Sequence, residues 1–325
     1  MANVAKKYIS EEIDRLRDLD RQNYALSSMA RNLNLLALRN DLSPVFHREP
    51  EVDAIQKLLL RRTKPNALLT GPAGCGKTAI AEALAIHIAH LRAEWLSEDA
   101  KADREYNKAY KAWMERDCDM DEPVRREVPK PPLCDVVIYD LSMNALVSGT
   151  KYRGEFEEKM QKIMECCKRN KDIVLFIDEI HQIGEIGASE GATNLGQILK
   201  PALARAEIRV IGATTTEESA ILKKDKALAR RFSDVEVRPL VGDKALSTAD
   251  SILHDYEVFH KVTVKDVTAE QILEMVNFHV GGVFPNNFID VIDEAMSGAR
   301  FEGKTMIRLP EIKATLSRMT GNIIL

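Results

Sequence analysis

The sequence predicts an α/β protein in which a parallel, five-stranded sheet is flanked by helices, followed by a smaller helical domain. Short apolar runs alternate with helical stretches in the first two thirds of the chain, which is the pattern of a layered α/β domain. Several runs are apolar at consecutive positions, as expected for strands buried on both faces of a parallel sheet. The predicted strands are 66–70, 136–141, 173–177, 208–213 and a weaker one at 235–237.

Three parts follow one another along the chain. Residues 1–40 are polar with helical periodicity, which predicts an N-terminal helical extension. Residues 41–240 contain the predicted strands and form the large α/β domain. From residue 241 to residue 325 helical periodicity dominates, with Phe288, Val291 and Ile292 on one helix face, so we expect a small helical domain with a connector-like tail.

Composition excludes several classes of protein. The 325 residues include 46 basic and 50 acidic side chains, a net charge of −4, which argues against general nucleic-acid binding and against a polybasic membrane surface. No apolar run has the length of a membrane span, and the N-terminus lacks the apolar core of a secretory signal. The five cysteines form no CxxC pair, which excludes a disulfide scaffold and a zinc ribbon and predicts a cytoplasmic protein.

The segment from Gly71 to Thr78 fits the pattern GxxxxGK[ST], between a predicted strand and a predicted helix. In this motif backbone N–H groups wrap phosphates, the lysine reaches the outer phosphates and the hydroxyl ligates Mg²⁺. The alternative, a glycine-rich turn without a ligand, fits the full motif poorly. The predicted nucleotide-binding residues here are Pro72, Ala73, Gly74, Cys75, Gly76, Lys77, Thr78 and Ala79.

A buried strand at 173–177 ends in two acids, Asp178 and Glu179. Consecutive strand residues point to opposite sides, so the two carboxylates can differ in role. Asp178 is predicted to ligate Mg²⁺ together with Thr78, and Glu179 is predicted to polarise an attacking water. Many strands end in acidic loops, so this signal becomes specific only beside the phosphate loop.

Two further signals are weaker. The predicted strand at 208–213 is followed by Thr214 and Thr215, whose hydroxyls could hold the attacking water or the terminal phosphate, although an ordinary strand end explains them equally well. Arg230 and Arg231 could neutralise charge in a transition state. A pair of arginines is by itself more often a solvated helix end.

These motifs occur in one fixed order with others: LFIDEIH at 175–181, GTKYRGEFEE at 149–158, LKPALAR at 199–205, IGATT and ARRF. Together they resemble the first ATPase module of the double-ring Clp unfoldases and disaggregases, a group within the AAA+ P-loop NTPases. The resemblance extends over about residues 29–320, apart from an insert at 91–132. It implies Mg²⁺-dependent hydrolysis of ATP in a ring, usually a hexamer, with each site at a subunit boundary.

The resemblance also implies residue roles. Lys77, Thr78, Asp178, Glu179 and Thr215 would serve the ATP of their own subunit. Arg230 and Arg231 would reach the site of the neighbouring subunit. Backbone near Val45 and Phe46 would hold the adenine.

A loop with the sequence Lys151-Tyr152-Arg153 would, on this resemblance, face a central pore and grip an extended polypeptide. An aromatic ring flanked by basic groups can contact many sequences with little dependence on their identity. The alternative is a surface loop whose tyrosine packs locally. A second pore segment is expected near residues 187–192, where small residues are frequent.

The chain departs from the family pattern at several places. His47 stands where the family has Gly, close to the expected adenine, and Asn286-Asn287 replace an Asp-Lys pair. The globular N-terminal domain, the coiled-coil middle domain and the second ATPase module of the family have no counterpart in this sequence. We therefore expect either half of a split machine or a single-ring version.

The insert at 91–132 has no counterpart in the family. Tyr106, Tyr110 and Trp113 fall on one face of a predicted helix. A charged helical hairpin that packs its aromatic residues on the domain is the simpler interpretation, and a docking surface for an adaptor is the alternative.

The leading hypothesis is a ring-forming, protein-remodelling ATPase that uses ATP and Mg²⁺ and grips polypeptides. Its partners would be further copies of itself, polypeptide substrates and an adaptor or second-module protein, with no membrane and no nucleic acid. One alternative is an AAA+ nucleic-acid factor such as a helicase loader, against which the net negative charge weighs. Another is an ATP-binding scaffold subunit of a split two-protein machine.

Overall fold

The computed structural model describes residues 2–115, 121–147, 153–182 and 195–324. Its centre is a six-stranded sheet with the strand order β1-β3-β4-β5-β2-β6. The strands are β1 Ala30–Asn32, β2 Ala67–Thr70, β3 Val137–Leu141, β4 Ile173–Ile177, β5 Arg209–Thr214 and β6 Ser233–Glu236.

Five of these strands run parallel, which confirms the predicted α/β class. The sixth strand, β1, was not predicted, because we expected the first 40 residues to be helical. It pairs antiparallel with β3, with Ala30 opposite Leu141, so the sheet is mixed. A strand of three residues is too short to show a period of two in the sequence.

Helices cover both faces of the sheet. Along β3, Val137 and Tyr139 pack into the core on one face, and Ile138 packs into the core on the other, because successive strand residues point to opposite sides. The helices of this domain are α1 Ala2–Gln22, α2 Tyr24–Ser27, α3 Leu33–Leu38, α4 Glu49–Leu59, α5 Lys77–Met114, α6 Met143–Val147, α7 Arg153–Arg169, α8 Leu195–Ala204, α9 Ser219–Lys224 and α10 Lys226–Ala229.

The insert differs from the helical hairpin that we expected. Its first arm is a direct continuation of α5, which is 38 residues long, and its described return arm at 121–132 contains no helix. Arg125 fastens the return arm to the helix through hydrogen bonds to Asp99 (2.7 Å) and Asp103 (2.5 Å). The return arm is held by side chains of α5 rather than by hydrogen bonds of its own backbone. Such an arm produces no periodic pattern of apolar residues in the sequence.

The aromatic residues of the insert lie on one face of α5, as predicted. The ring centroids of Tyr106 and Tyr110 are 5.8 Å apart, and those of Tyr110 and Trp113 are 5.5 Å apart. Nearer the sheet, Arg92 of α5 donates to Glu12 of α1 at 2.6 Å. The N-terminal helix is therefore tied to the base of the insert.

Residues 243–320 form the small helical domain, called the lid below. Its helices are α11 Asp243–His260, α12 Ala269–His279, α13 Asn286–Phe301 and α14 Leu309–Thr320, with two short parallel strands, β7 Thr263–Val264 and β8 Met306–Ile307. Phe288, Val291 and Ile292 are buried in a core of its own, as their spacing predicted. None of the described helices is long and apolar enough to cross a membrane.

Candidate functional site

The phosphate loop connects the end of β2 to the first residue of α5. Gly74 and Gly76 have φ angles of +77° and +92°, a region that glycine enters without strain. A Cβ on Gly71 would lie 2.2 Å from the backbone oxygen of Val237, so the loop passes too close to the neighbouring strand for a side chain. The turn directs the N-terminus of α5 toward the loop, which favours an anion there.

Lys77, Thr78 and Asp178 meet at the carboxyl edge of the sheet. Lys77 Nζ donates to the carbonyl oxygens of Gly71 (3.0 Å) and Pro72 (2.9 Å). Thr78 Oγ1 donates to Asp178 Oδ2 at 2.6 Å. A hydroxyl and a carboxylate oxygen in contact form the hard-oxygen donor pair that Mg²⁺ prefers.

Glu179 lies beside this pair with its side chain exposed. Its φ is +49°, an uncommon backbone conformation for a residue other than glycine. Its Oε2 accepts a hydrogen bond of 2.5 Å from Gln182 Nε2. Asp178 and Glu179 both line the cleft that opens over the phosphate loop, so both carboxylates face the space where a phosphate chain would lie.

The two threonines after β5 have different environments. Thr214 is 1% exposed, and its hydroxyl lies 3.1 Å from His181 Nδ1. Thr215 lines the cleft, and its hydroxyl donates to Glu218 Oε2 at 2.8 Å. This hydrogen bond and a second one from the backbone N–H of Thr215 hold the pKa of Glu218 below its usual range, with a contribution from the positive charge of Lys77. Glu218 and His181 therefore join the site, and no sequence motif indicated their contact.

The cleft over the phosphate loop has a volume of about 520 Å³ and lies between the α/β domain and the lid. Its lid wall is formed by Pro285, Asn286 and Ile289. A Cβ on Gly74 would lie 2.8 Å from Asn286 Cβ, so the lid packs directly against the loop. Of the Asn286-Asn287 departure from the family pattern, Asn286 is thus located at the cleft itself.

A second cavity of about 170 Å³ lies next to the phosphate loop. Val45 and Phe46 line it from the α/β domain, and Ile252 and Tyr256 line it from α11 of the lid. The hydroxyl of Thr248, another lining residue, is buried without a hydrogen-bond partner. An apolar slot with a few polar groups suits a planar nucleobase.

Arg48 supports the loop from below and was not predicted. Its side chain is 5% exposed and donates to the carbonyl oxygens of Cys75 (2.6 Å) and Arg238 (2.9 Å) and to Glu51 (3.0 Å). The Cys75 side chain is itself buried, and burial raises the pKa of its thiol. Cys75 therefore contributes packing and a backbone group to the loop rather than a reactive thiolate.

Several predicted residues are not brought to this cleft. Arg230 is exposed and Arg231 half-buried, directly after α10, and neither lines the cleft or the base cavity. Lys151 and Tyr152 lie outside the described residues, as does the segment 187–192. Arg153 is the first residue of α7.

Comparison with known proteins identifies the family. Residues 67–240 match the model of the ATPase family associated with various cellular activities (AAA), and residues 242–323 match an AAA lid domain. The chain belongs to the AAA family of ATPases. The loop at 71–78 lies within the AAA match, and the helices after residue 242 form an AAA lid.

This AAA domain is similar to that of the Clp and Hsp104 proteins. The chain is 38% identical over 283 residues to the ATP-binding subunit ClpC of the ATP-dependent Clp protease of Staphylococcus aureus, and 36% identical over 310 residues to the chaperone protein ClpB of Aquifex aeolicus. These alignments cover 86% and 95% of this chain, but 30% and 26% of the two relatives. The chain therefore spans less than a third of the length of these relatives.

Solved structures show the same similarity in three dimensions. The Saccharomyces cerevisiae Hsp104–ADP complex superposes with a TM-score of 0.71 at 30% identity, covering 92% of this chain and 46% of that one. The closed state of Hsp104 with ATPγS and FITC casein superposes with a TM-score of 0.70 at 28% identity, covering 91% and 45%. The AAA domain and its lid are thus arranged as in Hsp104.

Proposed function

We propose that this AAA domain hydrolyses ATP with Mg²⁺ in a ring of identical subunits and uses the reaction to pull on polypeptides. The observation that carries the proposal is the convergence of Lys77, Thr78, Asp178, Glu179 and Thr215 on one cleft beside a base cavity. The similarity to ClpC, ClpB and Hsp104 supports a polypeptide as the substrate that is pulled.

Lys77 would bind the outer phosphates of ATP. Its ammonium group donates to the carbonyl oxygens of Gly71 and Pro72. These bonds place the positive charge at the phosphate loop, where it would neutralise phosphate charge. The backbone N–H groups of the loop and the N-terminus of α5 would receive the remaining phosphate oxygens.

Mg²⁺ would be held by Thr78 and Asp178, whose side-chain oxygens are already in contact. The ion neutralises negative charge on the phosphates. Two protein ligands suit Mg²⁺, which keeps waters and substrate phosphates as its other ligands. The nucleobase would enter the cavity lined by Val45 and Phe46.

Glu179 would act as the general base. Its carboxylate lines the cleft and can accept a proton from a water molecule that attacks the terminal phosphate. The hydrogen bond from Gln182 restricts the direction of that carboxylate. Thr215 would orient the terminal phosphate or the water after its hydroxyl leaves Glu218.

A ring would complete the site. Arg230 and Arg231 follow α10 and do not line their own cleft, which supports a role in the site of the adjacent subunit, where they would neutralise charge in the transition state. We infer a hexamer from the Clp relatives. The loop around Tyr152 would then face the centre of the ring and grip the polypeptide, and a second-module protein would be a further partner.

The test of this proposal uses two variants. Glu179→Gln should bind ATP and assemble, with hydrolysis reduced by about a hundredfold or more, and native mass measurement with and without ATP should report the ring size and any co-assembled protein. Tyr152→Ala should hydrolyse ATP at the normal rate and fail to unfold a tagged substrate protein. Normal unfolding by Tyr152→Ala would refute threading, and a monomer in the presence of ATP would refute the ring.

A further inference from the structure

We propose that His47 is a positioning residue that ties the lid to the base-binding loop and thereby sets how long a nucleotide stays bound. This inference rests on the nucleotide site proposed above. Its basis is a hydrogen bond of 2.6 Å between His47 Nε2 and Ser247 Oγ, which joins residues 200 positions apart in the chain.

The bond lies at the entrance of the base cavity. His47 directly follows Val45 and Phe46, which line the cavity from the α/β domain, and Ser247 directly precedes Thr248, which lines it from the lid. A bond between these neighbours holds the two walls together. A nucleobase between the walls can leave only if the walls separate or the base slides out along them.

One end of this bond is rigid. The residue after His47 is Arg48, which is buried and anchored on the carbonyl oxygens of Cys75 and Arg238. The position of the imidazole is therefore defined by the phosphate loop and the end of the sheet. Motion at the entrance must come from the other end, where Ser247 belongs to α11 of the lid.

The backbone at His47 is strained. Its φ is +58°, in the left-handed region, which glycine enters freely and other residues enter at a cost. Glycine would adopt this backbone conformation without strain, but it has no side chain that could reach the lid. The chain thus carries a side chain at a position where the backbone alone favours glycine, and the bond to Ser247 is what that side chain contributes.

In the part of the chain that the structure describes, few other directional contacts join the two domains. Within residues 2–115, 121–147, 153–182 and 195–324, no other hydrogen bond or ion pair between side chains connects residues 41–240 with the lid. The two domains also contact each other at this boundary by close packing, for example of Gly74 against Asn286 and Val283. Packing resists compression but permits sliding, whereas a hydrogen bond has a preferred direction. The lid angle at the base cavity is therefore sensitive to His47.

The role predicts a specific kinetic result. Lid opening is a common route for release of a bound ligand. Loss of the bond should speed nucleotide dissociation by about fivefold, the effect of one hydrogen bond of ordinary strength. The KM for ATP should rise while kcat stays within about twofold, because His47 does not line the cleft of the reacting phosphates and the change affects ground-state and transition-state binding alike.

The experiment measures dissociation of N-methylanthraniloyl-ADP in the presence of Mg²⁺, chased with unlabelled ADP. The variants are His47→Gly, Ser247→Ala and the double variant. Each single variant should release the probe about fivefold faster, and the double variant should be no faster than either, because both changes remove the same bond. His47→Asn, which tolerates the backbone conformation but is shorter than histidine, should resemble His47→Gly.

Ser251→Ala is the matched control. Ser251 is a half-buried serine on the same helix, one turn from Ser247, and its hydroxyl donates within α11 to the backbone carbonyl oxygen of Ser247 at 2.9 Å. Its release rate should equal that of the unaltered protein. Because Ser247 is exposed, Ser247→Ala keeps the test valid even if a change at His47 impairs folding.

Two results would overturn the proposal: unaltered release rates in both single variants, or independent, multiplying effects in the double variant. These outcomes are distinct from failure of the proposed function. If the unaltered protein does not bind the probe, both proposals are wrong. If it binds the probe and hydrolyses ATP while all variants release at the same rate, only the role of His47 is wrong.

Discussion

Thr78 Oγ1 donates a hydrogen bond of 2.6 Å to Asp178 Oδ2, although 100 residues separate them in the chain. Thr78 belongs to the first turn of α5, and Asp178 directly follows β4. They meet because β2 and β4 are parallel strands of one sheet, with β5 between them, so both strands end at the same edge. This contact defines the proposed metal site before any metal is bound.

Thr78→Ala should reduce ATP hydrolysis by about a hundredfold, because a hydroxyl ligand is lost beside the phosphates. Thr78→Ser keeps the hydroxyl and should retain most of the activity. Phosphate release measured as a function of Mg²⁺ concentration checks this prediction. A Thr78→Ala protein with the normal Mg²⁺ dependence would show that the ion is held elsewhere.

Arg48→Ala should lower the free energy of unfolding by about 2–4 kcal/mol, because the change leaves the half-buried carboxylate of Glu51 and two carbonyl oxygens without their donor. Urea unfolding followed by circular dichroism measures the loss. Arg61→Ala is the control, since Arg61 makes an exposed hydrogen bond to Ser233 at 3.1 Å, and its cost should stay below about 1 kcal/mol. Equal effects of the two changes would contradict the anchoring role of Arg48.

Stability should fall at alkaline pH, partly through Cys167. Burial raises the pKa of this thiol to about 12, compared with about 8.5 in an unfolded chain. The folded state therefore keeps a proton that the unfolded state releases, so the stabilisation is complete below about pH 8.5 and is lost as the pH rises toward 12. Burial and Asp20 also raise the pKa of Tyr139, which adds to the same trend.

Cys167→Ala tests this origin. The variant lacks the ionisable group, so its free energy of unfolding should decline less between pH 7.5 and pH 10.5 than that of the unaltered protein. Urea unfolding at the two pH values gives the comparison. A decline of the same size in both proteins would assign the alkaline loss to other groups, with Tyr139 as the first to examine.

The distal part of the insert should be dispensable for ATP hydrolysis. Deleting residues 97–126 and closing the gap with a short glycine-rich linker retains Arg92, which binds Glu12 and Asp135. None of the described residues in the deleted segment, 97–115 and 121–126, lines the cleft or the base cavity, so the ATPase rate should stay within about twofold. The adaptor-docking role remains a prediction, and unchanged adaptor capture after this deletion would exclude it.

Local patterns were enough to predict which residues meet at the carboxyl edge of the sheet. The phosphate loop, the Asp178-Glu179 pair and Thr215 each follow a buried strand, and parallel strands end at one edge, so their meeting could be expected from the sequence. The lid was equally visible, because Phe288, Val291 and Ile292 recur at the spacing of a helix. Each of these patterns is local in the chain. The α/β architecture then brings the residues that follow the parallel strands close together in space.

Only the tertiary structure decided the remaining features. No sequence motif indicates four of these features. They are the edge strand at Ala30–Asn32, the anchoring of the phosphate loop by Arg48, the contact of Glu218 with Thr215 and His181, and the hydrogen bond from His47 to Ser247. Each depends on a partner chosen by position in space: a neighbouring strand, a carbonyl oxygen under a turn, or a hydroxyl on a helix 200 residues away. Sequence periodicity indicates which face of a helix or strand is buried. It contains no information on which polar group of another element the fold places next to a given side chain.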